Sequence, residues 1–348
     1  MKKFLALFLV LAMLLPCVAL ADDTYEIALV TDVGNIDDKS FNQAAYEGVI
    51  QFALANGKTY AYYRPSEDST EARIESMRTA ISKGAKILVL PGYLFEDAVT
   101  EMMAAYPDVI FIVLDTSPKG EPAANTYSIL YREEQAGYFA GYAAVKDGYT
   151  QLGFLGGVDV PAVVRFGYGF VQGADDAAAE MDVDVNVKYW YSGSFNPNDD
   201  IKNKMDSWYA DGTEVVFSCG GGIYLSALAA AEAADGVVIG VDKDQYFESD
   251  LIITSAMKDL TVSVVLALTA IYENGGVLPE DMAGQVVSLG VEEGAVGLPT
   301  AEHSWRFDSY TVEEYQALYE RVKAGEIQIS NDITVRPAVE KATVDYQN

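Results

Sequence analysis

Residues 29–43, LVTDVGNIDDKSFNQ, leave an apolar run and place Asp32, Asp37 and Asp38 ahead of an adjacent Phe41–Asn42 pair. Carboxylates at this density suit four kinds of chemistry: a cation loop, acid–base catalysis, a glycine-assisted phosphate cradle, or one wall of a pocket for an uncharged ligand. Spacing argues against the first, because D-x-x-x-x-D-D lacks the alternating D-x-D-x-D ligands and closing glutamate of a calcium loop. Catalysis lacks partners: His303 is the only histidine, which leaves a His-dependent triad or a multi-histidine zinc site almost nothing to use. A phosphate reading would rest on CGGGIY (219–224), but Leu225 stands where a third glycine of G-x-G-x-x-G belongs, and no G-x-x-x-x-G-K-[ST] loop occurs. Those glycines are expected to let backbone amides approach a ligand at a helix N-terminus, a plain tight turn being the other reading.

Ser40 and Gln43 spell S-x-x-Q, which predicts a capping box with Ser40 as N-cap and Phe41 and Asn42 in the first helical turn. Asp37 and Asp38 then sit where the helix dipole favours negative charge. On that geometry Asp32, Phe41 and Asn42 face a cleft; the alternative makes Phe41 a hydrophobic staple and Asn42 a solvent-facing residue.

Such side chains need a scaffold that gathers strand ends. Strand segments at 26–30, 59–63, 86–90, 109–114 and 126–130 alternate with helix-period segments near 40–55, 70–83 and 96–106. A second series sets strands near 151–156, 183–190, 214–218 and 237–241 among helices near 133–146, 161–181, 198–210 and 222–235. The alternation predicts an α/β fold of two doubly wound, parallel-sheet lobes. LIITSA (251–256) and an apolar helix near 260–273 exceed what the second lobe needs, so the chain is expected to cross back. The expected division is 22–131 plus about 257–281 for lobe 1, and 132–256 plus about 282–348 for lobe 2. Ligands of open α/β sheets sit beyond the carboxyl ends of the strands. Those ends carry Asp32 after ALV, Asp115 after FIVL, Ser218 to Gly222 after VVF, and Asp242 after VVIGV. A ligand held between two facing sheets would meet all four, whereas the bland role for Asp115 and Asp242 is helix capping.

Composition narrows the classes further. Residues 1–21 read as a secretory signal: Lys2 and Lys3, an apolar stretch from Phe4 to Leu15, then Ala19-Leu20-Ala21 as a cleavage site. Cys17 offers a competing reading as a lipid-modified cysteine, although Pro16 precedes it where that processing prefers a small residue. The formal charge of −29 becomes more negative by two without Lys2 and Lys3, and such a surface repels nucleic acid. Cys219 is alone after the signal, so no intramolecular disulfide is expected.

The runs TDVGNIDDKSFNQAAYEGV (31–49), LGFLGGVDVPAVVRFGYGFVQGA (152–174), SGSFN (192–196), GVDKDQ (240–245) and TSAMKD (254–259) together resemble the basic-membrane-protein family of solute-binding proteins, the PnrA-like purine-nucleoside receptors of ABC importers. The resemblance spans nearly the whole mature chain in one order. It implies a type I periplasmic-binding-protein fold, with two lobes joined by three crossing strands and a ligand in the hinge cleft. It further implies that Asp32, Phe41 and Asn42 recognise a base, that Phe195 of SGSFN is a second aromatic sandwiching it, and that Asp115, Gly222, Asp242 and Lys258 hold a ribose. The chain departs from the family pattern at Cys17, where the lipid-attachment sequence is poor, and in the AAY after FNQ, where a tryptophan is frequent.

The residue types suit that ligand. A neutral base has two π-faces and a hydrogen-bonding edge, and ribose hydroxyls donate to carboxylates. Cleft carboxylates would also repel phosphate, favouring nucleosides over nucleotides. A receptor for riboflavin or another ribosyl compound is the nearest rival. A secreted nucleoside hydrolase using Asp32 or Asp115 is the rival from another class, though no D-x-D-x-x-x-D cluster follows the strands. A transcriptional regulator would need a basic helix-turn-helix before residue 25, where the signal stands. The expectation is a monomeric, extracytoplasmic binding protein without catalytic residues, cofactor or metal. Its partners would be a nucleoside, an ABC permease and ATPase, and the membrane through that transporter or a lipid at Cys17.

Overall fold

The computed structural model describes residues 24–347; the expected signal segment and Cys17 lie outside them. The chain opens with β1 (Ile27–Val30), buried along its whole length as a parallel strand covered on both faces must be. There follow α1 (Phe41–Asn56), β2 (Tyr60–Tyr63), α2 (Thr70–Ser82), β3 (Ile87–Pro91), α3 (Glu96–Ala105), β4 (Ile110–Leu114) and β5 (Thr126–Tyr131). A second winding comprises α4 (Glu133–Lys146), β6 (Gln151–Gly156), α5 (Pro161–Met181), β7 (Val185–Tyr191), α6 (Asp199–Ala210), β8 (Val215–Cys219), α7 (Tyr224–Ala231), β9 (Val237–Asp242) and β10 (Ile252–Lys258). The remainder contains α8 (Leu260–Glu273), β11 (Gln285–Leu289), β12 (Val296–Gly297), α9 (Val312–Lys323) and β13 (Ala342–Tyr346). Among the described residues no helix is long and apolar enough to cross a membrane.

The two sheets repeat one plan. The first runs β11-β5-β4-β3-β1-β2 and the second β12-β10-β9-β8-β6-β7-β13, with every pairing parallel except β12 against β10. Each therefore reverses its winding at one place, between β1 and β3 in the first sheet and between β6 and β8 in the second. That is where an open α/β sheet leaves a crevice.

Crossings between the sheets follow Tyr131, Lys258 and Leu289. The return expected near residue 282 comes later, because Gln285–Leu289 pairs with β5 over its whole length and belongs to the first sheet. The helix α8 also lies with the first sheet: Thr261 Oγ1 donates to the Ala44 carbonyl at 2.8 Å, and a Cβ on Gly48 would meet the Thr261 carbonyl oxygen at 2.7 Å. The helix expected over 222–235 is shorter, a 3-10 turn at Gly221–Ile223 leading into α7, which ends at Ala231.

The tightest packing joins α4 to α5. Cβ atoms built on Gly137, Gly141, Gly169 and Gly173 would each lie 2.0 Å from a carbonyl oxygen of the opposing helix, those of Phe166, Phe170, Glu134 and Tyr138 respectively. Only glycine permits backbones this close, and the pairs G-x-x-x-G on both helices place the bare faces against each other. The first turns of both helices are thereby fixed beside the ends of β5 and β6. Gly141→Ala should force the pair apart, lowering stability by about 1–3 kcal/mol as other overpacked cores do, measured as a shift of the denaturant midpoint at unchanged slope.

Candidate functional site

The strand ends converge on a cavity between the sheets, lined among others by Asp32, Phe41, Asn42, Asp115, Phe195, Asp242 and Lys258. Gly222, the eighth residue singled out from the sequence, does not line it. Its N–H donates to the Phe195 carbonyl at 2.9 Å, and its neighbours Gly220 and Gly221 line the cavity instead. The glycines serve the aromatic ring: a Cβ on Gly157 would come within 2.5 Å of the Phe195 ring, and one on Gly220 within 3.0 Å. They let Phe195 lie against bare backbone at the second winding reversal.

The loop before α1 departs from the capping box. Ser40 makes no side-chain cap, and Gln43 Oε1 accepts from the Lys39 N–H at 3.2 Å. Asp38 takes over, its Oδ1 accepting from the N–H groups of Ser40 (2.9 Å) and Gln43 (3.1 Å) and its Oδ2 from that of Asn42 (3.0 Å). A carboxylate satisfies several orphan amides at once and suits the positive end of the helix. Ser40 Oγ is thereby released to donate to Asp242 Oδ2 at 2.6 Å, tying the α1 start to the second sheet. The same two regions meet again where Gln245 Nε2 donates to the Lys39 carbonyl at 2.9 Å and Lys243 pairs with Glu47 at 2.7 Å.

Asn42 is spent within this loop. Its Nδ2 donates to Asp32 Oδ1 at 2.9 Å and to Asp38 Oδ2 at 3.1 Å, while its Oδ1 accepts from the Asp32 N–H at 3.3 Å. Asp32 Oδ1 also accepts from the Gly34 N–H at 2.6 Å, which leaves Oδ2 facing the space beside Gly92 and Phe41. Asn42 thus aims Asp32, and Asp32 presents the free oxygen. Burial pushes Asp38 up to about 6 and raises Asp32 as well, opposed by those donors and, for Asp32, by Arg73.

At the far side Lys258, 3% exposed, sits among three carboxylates. Its Nζ contacts Asp115 Oδ2 and lies 3.5 Å from Glu133 Oε1 and 3.7 Å from Asp242 Oδ1. The ammonium also stands 4.7 Å from the Phe41 ring centre and 5.5 Å from that of Phe166. Burial alone would lower the lysine pKa, yet Asp115, Glu133 and Asp242 outweigh it and raise it, so the ammonium stays charged. Burial pushes Asp115 up to about 7 against the pull of Lys258. Its Oδ1 is buried and accepts no hydrogen bond among the described residues. Burial raises the Cys219 thiol too, so this cavity-lining cysteine is held as an unreactive thiol.

Several lining residues were not singled out from the sequence. Phe166 sits in the second turn of an apolar helix; Gly92 follows β3, a strand end with no polar side chain to mark it. With φ of 117° Gly92 adopts a backbone open to glycine, and its missing side chain leaves room for Asp32 and Phe41. Being next to the first winding reversal was the available signal for it.

A family model described as "ABC transporter substrate-binding protein PnrA-like" matches residues 26–333. The chain belongs to this Bmp family. An ABC transporter nucleoside-binding protein, BmpA, of Lactococcus lactis subsp. cremoris is 29% identical over 294 residues, covering 78% of this chain and 80% of that protein. Basic membrane protein A1 of Borrelia garinii subsp. bavariensis is 29% identical over 289 residues, 80% of this chain and 81% of its own. A solute-binding protein of an ABC transporter system from Aeropyrum pernix K1 superposes with a TM-score of 0.76 at 22% identity, covering 88% of this chain and 93% of that one. The Bmp chain therefore has the type I periplasmic-binding-protein fold and is a substrate-binding component of an ABC transporter, not an enzyme.

The raised carboxyls set a pH dependence. Asp38, Asp115, Glu134, Asp32 and Asp242 all have folded pKa values above their ordinary ones. A raised acid contributes stability that is full below its unfolded pKa and lost as pH rises through the folded one. Stability should therefore fall as pH rises from 5 to 8, by about 1 kcal/mol or more, and Asp115→Asn should flatten the slope in thermal melts.

Proposed function

We propose that this Bmp protein captures an uncharged nucleoside, most simply a purine nucleoside, in the cleft and delivers it to an ABC permease. One observation supports this above the rest: the cavity combines aromatic rings from both sheets with a buried acceptor oxygen, Asp115 Oδ1, that faces no protein donor, and with Asp32, whose Oδ1 takes the neighbouring donors and leaves Oδ2 toward the cavity. A buried acceptor without a donor costs about 1–3 kcal/mol, so the site favours a ligand that brings hydrogens. A base edge with an N–H suits Asp32, and a ribose hydroxyl suits Asp115. Phe41 and Phe195 offer faces on which a base stacks for about 1–3 kcal/mol. The excess of carboxylates over Lys258 disfavours a phosphate. The Lactococcus relative's description as nucleoside-binding agrees with this chemistry.

The base is held by Asp32, oriented by Asn42, and by the rings of Phe41 and Phe195; the ribose is held by Asp115 and Asp242 around Lys258. Gly222 acts one step removed, through the backbone of Phe195. Because Asp32, Phe41 and Asp115 sit on the first sheet's elements and Phe195 and Asp242 on the second's, ligand stabilises the shut arrangement that the transporter reads. The protein works as an extracytoplasmic monomer, released after Ala21 or anchored at Cys17.

A thermal-shift panel of nucleosides, free bases, nucleotides, riboflavin and sugars tests the reading, since a ligand of the native state raises the melting temperature with its affinity. Nucleosides should give the largest shifts and their 5′-phosphates little; a response to sugars alone would refute it. Phe195→Ala should weaken nucleoside binding at least about tenfold, the loss of about 1.4 kcal/mol of stacking, by titration calorimetry.

A further inference from the structure

Two paired charges behind the cleft, one buried and one partly exposed, have no part in the ligand contacts above. Glu133, the first residue of α4, is 0% exposed, and Arg165 lies on α5 beside Phe166, which lines the cavity. Glu133 Oε2 accepts from Arg165 Nε at 2.6 Å, and Glu133 Oε1 stands 3.5 Å from Lys258 Nζ. One carboxylate thus joins the cleft ammonium to a guanidinium whose helix is locked to α4 by glycine packing.

This matters because of how an ammonium counts. Lys258 has three N–H donors on a flexible stem, and three carboxylates surround it: Asp115, Asp242 and Glu133. With all three in place its hydrogens are drawn to protein oxygens, and Asp115 Oδ1 is left without a donor. Carboxylate oxygens on both sides of the ammonium reward a sugar with two hydroxyl hydrogens and penalise one that lacks either. Without Glu133 one N–H would turn free, able to donate to any ligand oxygen, and the ammonium could settle on Asp115 or Asp242 singly. Arg165 keeps Glu133 aimed.

We propose that Glu133, held by Arg165, is a positioning residue that fixes Lys258 between Asp115 and Asp242 and so sets the preference for a vicinal diol over a deoxy sugar. This rests on the nucleoside reading. It needs no contact between Glu133 and the ligand.

The test compares a ribonucleoside with its 2′-deoxy and 3′-deoxy counterparts by calorimetry, in the full chain. Glu133→Leu with Arg165→Met removes the pair together, a replacement that buried ion pairs often tolerate; Glu133→Gln with Arg165→Gln keeps the shapes and a neutral acceptor. The wild type should prefer the ribonucleoside by about tenfold or more, as expected for a hydrogen bond to a charged group. The Leu/Met variant should lose most of that ratio and the Gln/Gln variant part of it, while a purely structural role would weaken all three ligands equally. An unchanged ratio in whichever variant folds overturns the proposal. If the wild type binds no nucleoside, the functional reading fails instead, and the positioning claim is judged alone by nitrogen NMR of the Lys258 ammonium. A slowly exchanging signal should be present in the wild type and lost in the variants; its survival there overturns the claim.

Discussion

The arrangement hangs on one buried cation. An ammonium taken out of water loses several kcal/mol of solvation, and only close, well-aimed carboxylates restore it. Those around Lys258 come from separate parts of the chain: Asp115 from the end of β4, Asp242 from the end of β9, and Glu133 from the first turn of α4. Neutralising the lysine therefore requires the two sheets to be brought together at their carboxyl ends. Buried ion clusters of this kind are poor stabilisers compared with apolar packing. Their presence here fits a site kept for what it holds.

Local strain points the same way. Asp115 and Asp242, at corresponding strand ends of the two sheets, both adopt positive φ, 63° and 66°. Residues other than glycine pay about 1–3 kcal/mol for sparsely populated backbone of this sort, Asp being among the more tolerant. The conformation turns each carboxylate from the strand direction toward the ammonium. The stiff body behind it is the α4–α5 pair, whose backbones touch through four glycines and carry Glu133 on the first turn of α4 and Arg165 and Phe166 on the second turn of α5.

Much of this was legible in the sequence because strand ends are marked locally: an apolar run stopping at an acid or a glycine gives both the element and the end that lines the cavity. Asp32, Asp115 and Asp242 were readable in that way, and Lys258 by family resemblance. Ser40 was not. The S-x-x-Q pattern describes a local contest for orphan amides, and it was decided by Asp38 within the loop and by Asp242, about two hundred residues away. The glycines of CGGGIY were read as space for a ligand, whereas part of that space is filled by Phe195, whose ring no pattern places over Gly157. The strand β11 escaped notice because its outward residues are exposed and its pairing partner, β5, lies more than 150 residues earlier. Glu133 carries no signal at all: it is one of two adjacent acids at a helix start, where solvated charge is the ordinary outcome.

The contacts between the sheets divide by energy. Lys243–Glu47 is partly exposed on both sides, and pairs of that kind contribute about 1 kcal/mol at most. Ser40–Asp242 and Gln245–Lys39 are single hydrogen bonds, each worth about 1 kcal/mol net. None of these three commits the molecule to one arrangement; the buried Lys258–Asp115 contact is the strong link between the sheets. A ligand that stacks on Phe195 from one side, donates to Asp32 and Asp115 on the other and lies against Lys258 engages both sheets at their most buried points. Its differential affinity for the shut form is then large beside the latches, and a population shift needs no more than that. The weak polar contacts select the register in which the two halves meet, and the buried acids and rings determine whether they stay together.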